Sequence, residues 1–249
     1  MKFNRLEAME NELKLQHSIT NQQLCKMFNI SLQTLRRDLE VLREKGVITK
    51  VYGGVIYNHE ELTSAIPSLS FRSSSKEKEK IHIGELAAAL VEENDVIFID
   101  SGTTAYQMIP FLKRLNHVTI ITHSLHVINS STELKNVTCI SLGGQLNLDT
   151  YSFQSEPLNV PYNYHKAFIS TVGIDVDGCT NTNLIEGGIK QKAMQKSNKT
   201  YLVADNTKFS TRGFNRFATL DKFDVIISDQ ALPEKFNKII NKNKIKIFY

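Results

Sequence analysis

Ser31-Leu32-Gln33-Thr34-Leu35-Arg36-Arg37-Asp38-Leu39-Glu40-Val41-Leu42, followed by Gly46 and then Tyr52-Gly53-Gly54, is the stretch on which the reading of this chain turns. Ser31 can cap a helix by accepting a backbone N–H. Leu35, Leu39 and Leu42 recur at i, i+4 and i+7, the spacing of a core-facing stripe. At roughly 100° per residue, Gln33 and Arg37 then point away from that stripe, with Arg36 on its flank. A short helix with an amide, a hydroxyl and two guanidinium groups near its start can reach both base edges and phosphates.

The residues on either side fit that reading. Leu6, Met9 and Leu13 predict a first amphipathic helix. Thr20 with Gln23 three residues later predicts a capping box at the start of a second helix. Ile19 and Leu24 stand at the two positions of a hydrophobic staple around that cap, and Leu24, Met27 and Phe28 supply the buried stripe. After the third helix, Val47 to Tyr52 alternates apolar and polar positions. Gly53-Gly54 then permits a reversal into Val55-Ile56-Tyr57, so a two-stranded wing is expected. From Ser18 to Ile56, Lys26, Arg36, Arg37, Arg43, Lys45 and Lys50 face only Asp38, Glu40 and Glu44, leaving a local charge of +3. A basic face on a small helical module is the electrostatic footprint of a DNA binder. Three helices and a hairpin can also form a protein-docking module, in which Arg36 and Arg37 are a solvated face.

The 249 residues suit a small domain plus a larger one, and 41% hydrophobic residues give enough apolar surface for a core. The net charge of +4 is only mildly basic. Cys25, Cys139 and Cys179 are odd in number and widely spaced, so neither a disulfide framework nor a zinc site is indicated. No signal peptide is visible, and no apolar run approaches the roughly 20 residues of a membrane span, so a cytoplasmic location is expected.

Beyond Asn58 the chain becomes rich in Ser and Pro (Ser64, Pro67, Ser68, Ser70, Ser73 to Ser75), the composition of a linker. Lys76-Glu77-Lys78-Glu79-Lys80 then opens a helix through Ile81, Leu86, Ala87 and Leu90. From Val96 short apolar runs alternate with helical stretches: 96–99, 118–121, 137–140, 167–169, 201–203, 225–227, and a last strand over 244–249. Runs of this length suit strands buried on both faces of a parallel sheet with helical crossovers. The expected fold class is therefore α/β, with domains at 1–57 (DNA-binding), 58–75 (linker) and 76–249 (the α/β domain).

Taken together, these residues resemble the DeoR-type bacterial transcriptional repressors of sugar metabolism. The similarity runs through Ser31, Thr34 to Leu39, Leu42, Gly46 and Gly53-Gly54. It continues through Asp100-Ser101-Gly102-Thr103-Thr104, Thr122 and Ser124, and Leu142-Gly143-Gly144. It ends with Gly173-Ile174-Asp175, Glu186, Lys190, Met194, Ala204-Asp205 and Lys208-Phe209. The resemblance covers essentially the whole chain, in order. It implies a winged helix-turn-helix domain followed by a sensor domain similar to ribose-5-phosphate isomerase. It also implies a phosphorylated sugar effector, double-stranded operator DNA as partner, and a dimer or tetramer. Many relatives carry His at the position of Tyr52, and often Asn at that of His123.

The resemblance places helix 32–44 in the major groove. Arg37 suits guanine O6/N7 and Gln33 adenine N6/N7. Ser31, Thr34, Arg36, Lys50 and Tyr52 are the remaining expected DNA-binding residues, with Thr34, Arg36 and Lys50 on phosphates. Asp38 is expected to orient a neighbouring Arg, since it would repel phosphate. Asp100 to Thr104 follow a strand and start a helix, where an anion is favoured; ordinary Ser/Thr capping is the competing reading. Thr122, Ser124, Gly143, Gly144, Asp175, Glu186, Lys190, Asp205 and Lys208 complete the expected effector site. The alternatives are a plain Glu186–Lys190 ion pair along one helix, a simple turn at Gly143-Gly144, and a loop role for His123. Glycines 187 and 188 should weaken the start of that helix. ATP and NAD are not indicated, and no cofactor, metal or catalytic residue is expected. The expected function is a DNA-binding repressor controlled by a sugar phosphate. The alternative is a sugar-phosphate isomerase with an appended helical module, using Glu186 as base and Lys190 or Lys208 to stabilise charge.

Overall fold

The computed structural model describes residues 2–16, 18–44, 47–51, 53–57, 67–155 and 162–249. They form two compact units, 1–76 and 77–249. Tyr52, named above for the wing, lies outside the described residues, as do Lys45-Gly46 and most of the expected linker.

The first unit contains α1 (Lys2–Gln16), β1 (Ser18–Thr20), α2 (Asn21–Phe28), α3 (Leu32–Glu44), β2 (Ile48–Val51), β3 (Gly54–Tyr57) and α4 (Leu69–Ser74). The capping box forms as the sequence demands: Thr20 Oγ1 accepts from Gln23 N at 3.2 Å, and Thr20 N donates to Gln23 Oε1 at 3.0 Å. Asn29 ends α2 in the left-handed region at φ 49°, a position Asn tolerates. Leu6, Met9, Leu13, Ile19, Leu24, Leu35, Leu39, Leu42, Ile48 and Val55 bury together as one core.

Two expectations change here. The wing is a three-stranded sheet in the order β1-β3-β2, because the extended Ser18–Thr20 pairs with β3 before α2 begins. Moreover, 67–75 folds onto the first unit. Ser68 Oγ accepts from Phe71 N at 3.4 Å, Phe71 is buried, and its ring packs against the backbone of Gly54. A single aromatic anchor gives order to a segment whose Ser/Pro composition reads as linker.

The second unit runs α5 (Glu77–Ala89), β4 (Val96–Ile99), a 3-10 helix (Ala105–Arg114), β5 (Val118–Thr122), α6 (Leu125–Ser131) and β6 (Val137–Ser141). A hairpin of β7 (Gln145–Asn147) and β8 (Ser152–Gln154) follows, then β9 (Tyr164–Ser170), β10 (Gly173–Asp175) and β11 (Gly178–Asn181). The chain continues through α7 (Leu184–Gln195), β12 (Ser197–Val203), β13 (Asn215–Ala218), β14 (Val225–Ile227), α8 (Asn237–Asn243) and β15 (Lys246–Phe248).

Seven strands make one parallel sheet in the order β15-β14-β12-β9-β4-β5-β6. The expected apolar runs are its core. Ala167, Ile169 and Leu202 enter one buried layer with Phe98, while Phe168, Tyr201 and Val203 enter the opposite layer with Ile97 and Ile99. From β4 the chain winds outward through β5 and β6, then returns to the other side of β4 at β9. The order therefore reverses between β4 and β9, and ligands of open α/β sheets bind at such a switch point, beyond the carboxyl ends of the strands.

The crossover after β4 is a long 3-10 helix rather than an α-helix. Pro110 lies within it. Its ring removes a backbone donor and clashes with the preceding turn of an α-helix, which disfavours the α form.

Candidate effector site and DNA-contacting face

Asp100 directly follows β4 beside the switch point and is completely buried. Its Oδ2 accepts from Ser170 N at 3.0 Å, from the Ser170 hydroxyl and from the Lys190 ammonium. Lys190 reaches it from α7 and also donates to Ser170 O at 3.2 Å. The closeness of β4 and β9 at this point requires Gly102: a Cβ there would stand 1.9 Å from Ser170 Oγ.

Glu186, one turn earlier on α7, is also buried. It accepts from Ser152 Oγ at 2.5 Å, from Asn181 Nδ2 at 3.3 Å and from Ser101 Oγ at 3.5 Å. Ser152 arrives on the β7–β8 hairpin, which is pinned to the turn after β5 by Phe153 N→His123 O (2.7 Å) and Leu125 N→Tyr151 O (2.9 Å). Gly144 admits the hairpin at φ 115°, with its α-carbon against the Gln154 carbonyl.

His123 is fully buried, stacked on Phe98 with ring centroids 5.8 Å apart, and its Nε2 lies 3.8 Å from Asp100 Oδ1. Among the described residues, Asp100 Oδ1 and both His123 nitrogens have no hydrogen-bond partner. Burial pushes the Asp100 carboxyl up. The Lys190 ammonium, with the hydrogen bonds from Lys190 and Ser170, outweighs it and leaves the group below its ordinary value. Burial pushes the His123 imidazole down, against the pull of Asp100 and Glu186, and its net shift is downward. The cluster thus gathers Asp100, Glu186 and Lys190 beside a neutral imidazole.

The expected site residues separate into two groups. Asp100, Ser101, Glu186 and Lys190 come together at the switch point. Thr122 and Ser124 flank His123: Thr122 Oγ1 donates to Ile99 O and accepts from Ser124 N, while Ser124 caps α6. Buried Thr103 and Thr104 lead into the 3-10 helix, and Thr104 makes no side-chain cap. The second group shapes turns. Gly143 N donates to Ser141 Oγ. Asp175 Oδ1 accepts from Asp177 N and Gly178 N, and its Oδ2 faces Arg212 and Arg216. Asp205 caps the 3-10 turn that carries the half-buried Lys208. The simple Glu186–Lys190 pair does not form; each side chain has partners elsewhere. Asn183 caps α7 through Ile185 N and Glu186 N, offsetting the two glycines.

On the first unit, Ser31 Oγ accepts from Thr34 N at 3.2 Å and caps α3. Leu35, Leu39 and Leu42 are buried, whereas Gln33, Arg36, Arg37 and Lys50 are exposed. A groove of about 520 Å³ is lined by Gln33, Arg36, Arg37, Glu40 and Lys50, among others. Asp38, on the same helix, is buried and accepts from Arg5 of α1 through Nε (2.8 Å) and Nη2 (2.7 Å).

Two family models match this chain in order: the DeoR-like helix-turn-helix domain over residues 5–61, and the DeoR C terminal sensor domain over residues 75–230. The chain belongs to the DeoR family. This DeoR-family chain is 36% identical to the HTH-type transcriptional regulator IolR of Bacillus subtilis, with 99% of each chain covered. It is 30% identical to the HTH-type transcriptional repressor GlcR of the same organism, over 98% of this chain and 94% of that one. It is also 30% identical to a lactose phosphotransferase system repressor of Staphylococcus epidermidis, over 96% of each. Ribose 5-phosphate isomerase A of Methanocaldococcus jannaschii is 17% identical over 54% of this chain and 55% of that one, at a TM-score of 0.41, a likeness too distant to bear on chemistry.

The protein is thus a transcriptional regulator of the DeoR type, with an N-terminal helix-turn-helix domain and a C-terminal α/β sensor domain. Among the described residues no helix is long and apolar enough to cross a membrane. Ser152, Ser170, Asn181 and Arg5 were not singled out in the sequence. Ser170 alone had a signal: it follows a predicted strand as Asp100 does.

Proposed function

We propose that this regulator binds operator DNA through α3 and the wing, and that a phosphorylated sugar or sugar derivative bound in the sensor domain lowers that affinity. The observation that carries the reading is the cluster at the β4/β9 switch point. There Asp100, Glu186 and Lys190 lie under the loop 101–104, in a chain whose α3 exposes Arg36 and Arg37. Backbone N–H groups and hydroxyls of Ser101, Thr103 and Thr104 suit a phosphate. Asp100, Glu186 and the more peripheral Asp175, Asp205 and Lys208 suit sugar hydroxyls and charge. Gly102, Thr122, Ser124, Gly143 and Gly144 shape the surrounding turns.

Arg37 and Gln33 read bases. Ser31, Thr34, Arg36, Lys50 and Tyr52 fix the register on phosphates. A palindromic operator calls for at least a dimer. The relatives' printed names, a repressor and a lactose phosphotransferase system repressor among them, support repression in carbohydrate metabolism and action in the cytoplasm.

Two features favour a sensor over a catalyst. Glu186 is engaged by three donors, and Lys190 is tied to Asp100, so neither stands ready as a base or charge stabiliser. The test is thermal unfolding of the full chain against a panel of pentose and hexose phosphates and the parent sugars. A ligand bound by the folded form alone raises the midpoint. At least one phosphate ester is expected to do so where its parent sugar does not. No shift with any of them, together with turnover of one, overturns the reading.

A further inference from the structure

The groove beside α3 holds an acid where a DNA-facing surface is otherwise basic. Glu40 lies on the same helix as Arg36 and Arg37, and all three line the groove with Lys50. Its Oε1 accepts from Arg43 Nε at 2.9 Å and Nη2 at 2.5 Å, one turn along α3. Its Oε2 accepts from the ammonium of Lys50, which reaches across from β2. One carboxylate therefore bridges the helix and the wing and engages two cations, much as a phosphate would. The hydrogen bonds from Lys50 and then Arg43 hold this carboxyl down at about 2, so it stays charged wherever the chain meets DNA.

A carboxylate in this place repels the DNA backbone, and it does so independently of base sequence. As a stability device it is weak, since ion pairs between half-exposed side chains contribute little. Its consequence for binding is larger. Lys50 cannot meet a phosphate without leaving Glu40 or sharing its charge with it. The exchange lowers affinity for every duplex alike, while base contacts from α3 are left intact.

We propose that Glu40 damps the sequence-independent part of DNA affinity: it occupies Lys50 and Arg43 in place of a DNA phosphate. The proposal rests on the DNA-binding reading above and adds that the phosphate term is deliberately damped. Non-specific affinity is almost wholly this electrostatic term, so a duplex of random sequence reads the damping directly.

The test uses the full chain and a 30-base-pair duplex of random sequence, followed by fluorescence anisotropy between 50 and 300 mM KCl. Glu40→Gln is expected to bind the random duplex about three- to tenfold more tightly than the wild type and to steepen the log–log salt slope by about one. Glu40→Ala should give the same gain, and circular dichroism verifies that both variants fold. In a Lys50→Gln background most of the gain should vanish, because the released cation is absent. An equal gain with and without Lys50 would mean a diffuse charge effect and overturns the proposal. So does unchanged or weaker binding by both Glu40 variants, the result expected if Glu40 itself accepts a hydrogen bond from a base. Failure of the wild-type chain to bind any duplex at 50 mM KCl would instead strike the DNA-binding reading itself.

Discussion

Lys190 on α7 closes on Asp100 at the end of β4, ninety residues earlier in sequence, and both side chains are buried. The pair ties the helix to the switch point of the sheet. A buried ion pair adds little over an apolar pair of the same shape, but loss of one partner leaves an uncompensated charge. Lys190→Met is therefore expected to destabilise the sensor domain by about 3–5 kcal/mol. Asp100→Asn combined with Lys190→Met should recover part of the loss. Urea unfolding of the four members of this cycle measures the coupling. Additive losses would mean that the two residues act independently.

Acid should weaken the sensor domain in two stages. The His123 ring stays neutral in the fold because burial lowers its pKa, while the unfolded chain takes up a proton near pH 6.5. Stability is then lost as pH falls below about 6.5. Asp100 lies below its ordinary value in the fold, so its contribution is complete above about pH 4 and is lost only as pH falls further. Phe in place of His123 keeps the stack on Phe98 and removes the titrating ring. His123→Phe is expected to show a smaller drop in unfolding midpoint between pH 7 and pH 5 than the wild type. An equal drop would place the acid sensitivity elsewhere.

Arg5 of α1 supports α3 through a buried carboxylate. It satisfies the buried Asp38, on the same helix as the exposed Arg36 and Arg37. Arg5→Ala leaves that carboxylate without its charged donor, and a cost of about 1.5–3 kcal/mol is expected. Amide exchange along α3 in the full chain should accelerate accordingly, with exchange in β9 and β12 unchanged. Protection of α3 at the wild-type level would show that Asp38 finds another partner.

Arg37→Ala should reduce discrimination between a selected duplex and random sequence by about 1–3 kcal/mol, the range of one bidentate contact to guanine. Lys50→Ala should weaken binding to both duplexes alike. Equal losses on the two duplexes for Arg37→Ala would remove it from the base-reading set.

The architecture was legible wherever one physical signal dominated. The Leu35–Leu39–Leu42 stripe, the Thr20–Gln23 box and the apolar runs of β4, β5, β9 and β12 each specify an element by local pattern. The 3-10 helix was not legible, although Pro110 was its cause in plain view, because a proline disfavours the α form without naming what replaces it. Phe71 was lost in a Ser-rich segment, since burial of one ring depends on the backbone of Gly54 in another element. In the sensor site, a strand end flagged Asp100, and the family resemblance flagged Glu186 and Lys190. Their partners Ser152, Ser170 and Asn181 come from distant elements. Which cation meets which carboxylate is a property of tertiary packing, and i,i+4 spacing alone suggested the wrong partner for Lys190.

The most direct test is the affinity of the full chain for a duplex enriched by that chain from a random library, measured with and without each phosphorylated sugar of the panel. At least one phosphate ester should change the affinity about fivefold or more, as expected of coupled sites, while its parent sugar leaves it unchanged. A duplex affinity that no sugar phosphate alters, or failure to enrich any duplex at low salt, would contradict the account.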